Sequence, residues 1–272
     1  MKKIGLALGG GGARGLAHIS MLEVFDELGV RPHRIAGTSI GAVMGALYAS
    51  GHSGGQIRDI VGRVIIKKGD SFRAALHKKE ALSALKFFDL QFKRTGLFKG
   101  DKFAAFLYDA MKVRTFEELS IPLTVVASDF YTSGQVVLST GELLDAVKAS
   151  MGLPGVFTPV IRDGRVLIDG GGVNPVPFDI LDDCDLVVAI DVTGEMAGDG
   201  HTIPNMVRAV LGTFDIMQNS IIAEKLKRCP PDIYIKPGIV GVDLLEFYKA
   251  DQIYEQTDPA RKKLKLALEQ VL

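Results

Sequence analysis

The sequence predicts a three-layer α/β/α fold with a mostly parallel central sheet. Three observations carry this. Short apolar runs alternate with stretches of helical spacing along the chain. The run Leu186–Ile190 is apolar at every position, as in strands buried on both faces. And the first apolar run, Ile4–Leu8, passes directly into glycines. A length of 272 residues suits one large α/β domain, and 47% hydrophobic residues suffice for its core.

The elements follow in order. Ile4–Leu8 reads as a buried strand. Residues 14–28 carry helical spacing through Leu16, Ile19, Leu22 and Val24–Phe25, and Gly29 ends that helix. Arg34–Ala36 is a second short strand, and Ile40–Ala49 is a helix of small residues able to pack close to a sheet. Leu123–Ala127 and Val136–Leu138 are strands around a turn at Ser133-Gly134. Leu143–Ala149 is helical. Arg165–Ile168 is a strand that ends at Asp169. After Leu186–Ile190 come a helical stretch near 204–228, a short strand Ile233–Ile235, and further helix. No repeat or linker composition interrupts the chain, and Gly194–Gly200 is the weakest point. The expectation is a single domain over 1–272, since Ile233–Ile235 can extend the sheet.

Charge and composition exclude several classes. The formal net charge is zero, so no global field draws the protein to nucleic acid. Cys184 and Cys229 match no metal or redox spacing, and two buried thiols in a reducing compartment are expected. Lys2 and Lys3 precede only five residues before the glycines, too few for a signal segment. The run Ile40–Ala49 is about half the roughly 20 residues a membrane crossing needs. A cytoplasmic protein is therefore expected.

The segment Gly9-Gly10-Gly11-Gly12-Ala13-Arg14-Gly15 joins a strand to a helix. Glycines let backbone N–H groups turn toward a ligand, and a helix N-terminus adds partial positive charge, so this is an anion site. Gly10, Gly12 and Gly15 also fit the dinucleotide pattern G-x-G-x-x-G. That use wants an acidic residue after the second strand, where Gly37-Thr38-Ser39 stands instead. The other use of such a loop is an oxyanion hole, from Gly10, Gly11 and Gly12 with Arg14. A cation in a first helical turn opposes the helix dipole, so Arg14 needs an offsetting anion. A solvated surface arginine is the plain alternative.

Gly37-Thr38-Ser39-Ile40-Gly41 is G-x-S-x-G between a strand and a helix, the setting of a nucleophile elbow. The ordinary alternative is a serine that caps the next helix. A nucleophilic serine needs a base. His18, His33, His52, His77 and His201 each fit a structural or surface role better; His52, for instance, lies roughly 18–20 Å from Ser39 by helix rise. Asp191 and His201 satisfy the α/β-hydrolase order only nominally. Asp169, delivered by a strand into Gly170-Gly171-Gly172, is the stronger candidate. The glycines leave its oxygens open, and a partly dry cleft raises a carboxyl pKa and makes a better base. A turn Asp before Gly is the competing reading.

These residues resemble the patatin-like phospholipase family. Gly10–Gly15 matches its oxyanion loop, Gly37–Gly41 its nucleophile elbow, and Asp169-Gly170-Gly171 its dyad segment. Ala149-Ser150-Met151-Gly152-Leu153-Pro154 looks like its A-S-x-x-x-P stretch. The match covers about 4–192, with a mainly helical extension over about 195–272. The resemblance implies a Ser39–Asp169 dyad, acyl-lipid ester hydrolysis, and neither metal nor other cofactor. Transfer of the acyl group to an alcohol, and a nucleotide-binding regulatory role for the glycine loop, are the alternatives. Residues 63–102 hold eleven Lys/Arg against four Asp/Glu, with Phe72, Phe87, Phe88, Phe92 and Phe98 among them. Such a segment suits peripheral contact with anionic lipid at the inner membrane face, or an ordinary amphipathic lid. No nucleic-acid motif accompanies it.

Overall fold

The computed structural model describes residues 2–64, 101–194, 203–204 and 206–272. Most of the basic segment 63–102, with its five phenylalanines, His77 and His201 lie outside them.

Among the described residues, eight strands form one sheet: β1 (Ile4–Leu8), β2 (Arg34–Thr38), β3 (Leu123–Asp129), β4 (Gln135–Leu138), β5 (Val160–Arg162), β6 (Arg165–Asp169), β7 (Leu186–Ile190) and β8 (Ile233–Ile235). The main order is β5-β6-β3-β2-β1-β7-β8, with β4 also paired to β3. From β3 across to β8 the neighbours are parallel; β4 and β6 run antiparallel to β3. The helices are α1 (Ala17–Glu27), α2 (Ile40–Ala49), α3 (Gly54–Val64), α4 (Asp101–Met111), α5 (Leu143–Ser150), α6 (Met206–Arg228) and α7 (Ala250–Glu269). Helix α1 is entered through a 3-10 turn, Gly12–Leu16.

The strand pleat sorts residues onto two faces. Leu6, Leu8, Ile35, Val188 and Ile190 join a large core with residues of α1, α2, α5 and α7. Ala7, Ala36 and Ala189 point the other way, toward Val176, Phe178, Leu181 and Ile222 of α6. Large aliphatics on one face receive helices at full spacing. Alanines on the other let segment 176–181 lie close. Burial on both faces explains why the central strands lack polar alternation.

The strands extend the sequence reading where tertiary pairing supports them. β2 continues through Thr38 because Thr38 pairs with Val126. β6 includes Asp169, which pairs with Ala127. The short β5 and helices α3 and α4 were not foreseen. β8 pairs with β7, so the chain beyond 195 adds a strand to the sheet as well as helices. The thiol expectation needs correction. Cys184 is only half-buried and Cys229, just past the end of α6, is exposed; both are free.

Strand β3 fixes the geometry of the site. β2 and β4 both pair with Val125 and Val126, so they occupy opposite edges of β3. β4 and β6 both pair with Ala127 and Ser128, so they too are opposite. Hence β2 and β6 share one edge. They run in opposite directions and meet end to end, with Thr38 across from Val126 and Asp169 across from Ala127. The residues leaving these two strand ends are Ser39 and Asp169.

Candidate active site

Ser39 sits in a tight turn between β2 and α2, with φ 54° and ψ −123°. Positive φ is costly for a residue with a Cβ, and such strain concentrates where geometry serves function. The flanking glycines make the turn possible. A Cβ at Gly41 would lie 2.0 Å from the Leu8 carbonyl oxygen, and one at Gly37 2.7 Å from the backbone of Ala42. Ser39 occupies the N-cap position of α2, but its side chain makes no capping bond. Instead its Oγ–H donates to Asp169 Oδ2 at 2.7 Å. The Ser39 N–H donates to Ser150 Oγ at 2.8 Å, and that hydroxyl donates to Val126 O at 2.6 Å. Buried Ser150 thus ties the turn to β3, a role its sequence context did not disclose.

Asp169 is buried. Its Oδ1 accepts the Gly171 N–H at 2.7 Å, as in the turn reading, which leaves Oδ2 for the serine. Its backbone oxygen accepts from Ser128 Oγ at 2.7 Å, and its N–H donates to Gly152 O at 3.1 Å. Burial raises its pKa to about 6, against the opposing pull of the bonds from Ser39 and Gly171. A carboxylate held there is a stronger base than an exposed one.

The glycine loop lies beside this pair. A Cβ at Gly10 would come within 3.3 Å of Ser39 Cβ. The Gly10 N–H donates to Pro175 O at 2.9 Å, and that of Gly9 to Ile190 O at 3.0 Å. Gly11 and Gly12 carry no such loop bond among the described residues. Both positions exclude side chains: an added Cβ would meet Val192 O at 2.1 Å or Leu244 O at 2.2 Å, and Gly12 has φ 58°. Gly15 packs directly on Ile40.

Arg14 differs from the solvated arginine of the plain reading. It is buried, and its guanidinium donates twice to Asp215 of α6, at 2.8 and 3.1 Å. It also reaches Val242 O at 3.3 Å. The offsetting anion that its position demands is therefore a carboxylate two hundred and one residues away. With the Gly10 amide and the Arg14 guanidinium both engaged, the Gly11 and Gly12 amides are the loop donors left open. His18 is buried and serves the loop: burial lowers its pKa to about 4, and the neutral ring donates from Nε2 to Gly9 O at 2.8 Å. Asp191, the order-only triad candidate, is buried among Thr193, Tyr234 and Lys236. Helix α6 also brings Gln218, which is buried with its amide nitrogen against Gly171. No residue pattern around Asp215 or Gln218 announced either contact.

The patatin-like phospholipase family model matches residues 6–182, more than half of the chain. The chain belongs to the patatin-like phospholipase family. Ser39, Asp169 and the glycine loop all fall within the family match; Asp215 and Gln218 lie beyond it. Among relatives, an NTE family protein of Mycobacterium bovis is 32% identical over 225 residues, covering 79% of this chain and 58% of that protein. Neuropathy target esterase of Drosophila melanogaster is 36% identical over 193 residues, covering 70% of this chain and 13% of the fly protein. Patatin-like phospholipase domain-containing protein 7 of Rattus norvegicus is 37% identical over 194 residues, with the same two coverages. The chain thus spans a little over half of the mycobacterial relative and a small part of the animal ones. Among solved structures, VipD from Legionella pneumophila shares the fold: TM-score 0.50 and 17% identity, over 96% of this chain and 67% of that one. Among the described residues no helix is long and apolar enough to cross a membrane.

Proposed function

We infer that this protein hydrolyses carboxylic esters of acyl lipids, with Ser39 as nucleophile and Asp169 as its base. The observation that carries the reading is the 2.7 Å bond from Ser39 Oγ to Asp169 Oδ2 at the meeting point of β2 and β6. Asp169 accepts the hydroxyl proton as Ser39 Oγ attacks the ester carbonyl. The tetrahedral oxyanion accepts hydrogen bonds from the Gly11 and Gly12 N–H groups, which are fixed before the reaction and need no reorganisation. Asp169 then returns its proton to the leaving alcohol. Water, deprotonated by Asp169, attacks the acyl-enzyme; the acid departs and Ser39 recovers its proton. The strain at Ser39 and the dry setting of Asp169 are both costs of this arrangement, offset by the surrounding sheet. An alcohol in place of water would give acyl transfer on the same residues. Peripheral contact with anionic lipid belongs to the same reading, through the basic segment near 63–102.

A fluorophosphonate probe tests the nucleophile. The expected result is one covalent adduct, mapped to Ser39, that disappears in Ser39→Ala along with turnover of a chromogenic ester. Labelling elsewhere, or full ester turnover by Ser39→Ala, rejects the assignment. Ionisation of Asp169 gives a second check. A carboxylate must be unprotonated to act as base, so kcat/KM is expected to fall about tenfold per pH unit below roughly pH 6 and to level off above it. A profile still flat at pH 4.5 would remove Asp169 from the role.

A further inference from the structure

Three consecutive backbone carbonyls, those of Asn174, Pro175 and Val176, each accept a hydrogen bond from a different part of the chain. The Asn174 oxygen takes the hydroxyl of Thr38, the residue before Ser39, at 2.8 Å. The Pro175 oxygen takes the Gly10 N–H of the glycine loop at 2.9 Å. The Val176 oxygen takes the ammonium of Lys225, from α6, at 2.9 Å. The Asn174 N–H completes the set by donating at 2.9 Å to the oxygen of Gly170, the residue after Asp169. The strap 174–176 is therefore bonded beside the nucleophile, beside the base and inside the glycine loop, three segments far apart in sequence.

One charged side chain holds this strap from the outside. Lys225 lies beyond the family match, and its three donors meet three acceptors: Val176 O, Asn174 Oδ1 at 2.5 Å, and Asp179 Oδ1. The Asn174 amide nitrogen donates in turn to Asp179 Oδ1 and Gln135 Oε1, each at 2.9 Å. Asn174 and Val176 are buried, and the Lys225 nitrogen stands 4.3 Å from the centre of the Phe178 ring. Hydrogen bonds from an ionised donor are roughly twice as strong as neutral ones. A buried network with its members satisfied fixes one arrangement of them.

We propose that Lys225 is a positioning residue of the active site: through the strap 174–176 it sets the placement of the Ser39 turn relative to the glycine loop. The proposal rests on the Ser39–Asp169 reading. The Ser39 turn leaves β2 and the glycine loop leaves β1, so their mutual position depends on what bridges the two strand ends. The strap bridges them, at Thr38 and at Gly10. Without the ammonium, Asn174 Oδ1 and Val176 O lose their charged donor and Asp179 loses its counter-ion. The strap then relaxes, and Thr38 and Gly10 move with it. The attacking oxygen and the oxyanion donors lose their register, while substrate binding elsewhere is untouched. The loss therefore falls on kcat rather than KM, since small misplacements of reacting groups cost large factors in rate.

The test combines two substitutions in the full chain. Lys225→Met keeps an apolar stem over Phe178 and removes the charge; Thr38→Val removes the hydroxyl at nearly the same volume. Two rates are measured on folded protein: turnover of a chromogenic butyrate ester, and labelling by a fluorophosphonate, which reports attack by the serine directly. For Lys225→Met both are expected to fall about tenfold, with KM within about twofold of the wild type. Both changes act through one strap, so the double variant should lose little more than the larger single loss rather than the product of the two. Should Lys225→Met not fold, Asp179→Asn takes its place in the same cycle, with a loss of about threefold expected. A folded Lys225 or Asp179 variant with the wild-type labelling rate, a loss carried by KM, or losses that multiply in the double variant would each overturn the proposal. Failure of the underlying dyad looks different: Ser39→Ala would then keep its butyrate turnover. Failure of the strap alone leaves Ser39→Ala inactive and Lys225→Met at full rate.

Discussion

Asp169→Asn is expected to lower kcat/KM for any ester by at least about 10³-fold at pH 8 while leaving the protein folded. The amide keeps the size of the carboxyl group and can still accept the Gly171 N–H, so the meeting of β2 and β6 should persist. What it cannot do is take the proton of Ser39. Stability should move the other way. The folded-state pKa of Asp169 is raised to about 6 from an ordinary 3.8, so the folded protein binds this proton more tightly than the unfolded chain does. The resulting stabilisation is present below the unfolded value and is lost as pH rises through the folded one. At neutral pH the wild type therefore carries an ionised, buried carboxylate at a cost of about 2–3 kcal/mol. Asparagine cannot ionise and escapes that cost. A melting temperature at pH 8 equal to or above that of the wild type, together with lost turnover, is the expected pair of results. Retained turnover would falsify the dyad. A collapsed melting curve would instead show that the carboxylate holds the two strand ends together.

The fold was largely legible, because its signals are local. The near-continuous apolar runs at 4–8 and 186–190, short and β-branched or followed by glycine, read as strands buried on both faces, and the G-x-S-x-G segment stands between a strand and a helix as its chemistry requires. What could not be read is how distant segments meet. Nothing near residue 169 says that β6 enters antiparallel on the edge that β2 has just vacated; that follows from the register of β3 with three partners. Nor does Val160–Arg162, three residues of which none is fully buried, show the alternation that marks the equally short Ile233–Ile235. At Arg14 the local rule was informative but incomplete. It demanded an anion near an unfavourably placed cation and could not say that the anion comes from α6. Ser150 was visible as part of a family stretch. Its use, holding the Ser39 N–H, depends on a contact across one hundred and eleven residues.

The Arg14–Asp215 pair carries the other large effect. Asp215→Ala is expected to destabilise the protein by about 3–5 kcal/mol, because it leaves a buried guanidinium without its carboxylate. For a chain of this size that is a fall of roughly 10 °C in melting temperature. The remaining acceptor, Val242 O at 3.3 Å, is neutral and distant, and Arg14 Nε is buried without a partner among the described residues, so none of these offers a second anion for the charge. The converse change separates pairing from packing. Replacing both residues together, Arg14→Met with Asp215→Leu, removes two buried charges at once, and buried pairs replaced by apolar side chains of similar volume are often neutral or stabilising. The double variant should therefore recover most of the stability that Asp215→Ala loses. Activity should respond to the single change as well. Arg14 stands two residues after Gly12, and the next carbonyl contact of that loop, Ala13 N–H to Leu244 O, lies in the same C-terminal segment that Arg14 grips through Val242. Loosening the pair frees the glycine loop to drift from Ser39. If Asp215→Ala melts like the wild type and keeps full turnover, α6 does not clamp this loop, and the loop's position rests on its other bonds, from His18 and to Ile190, Pro175 and Leu244.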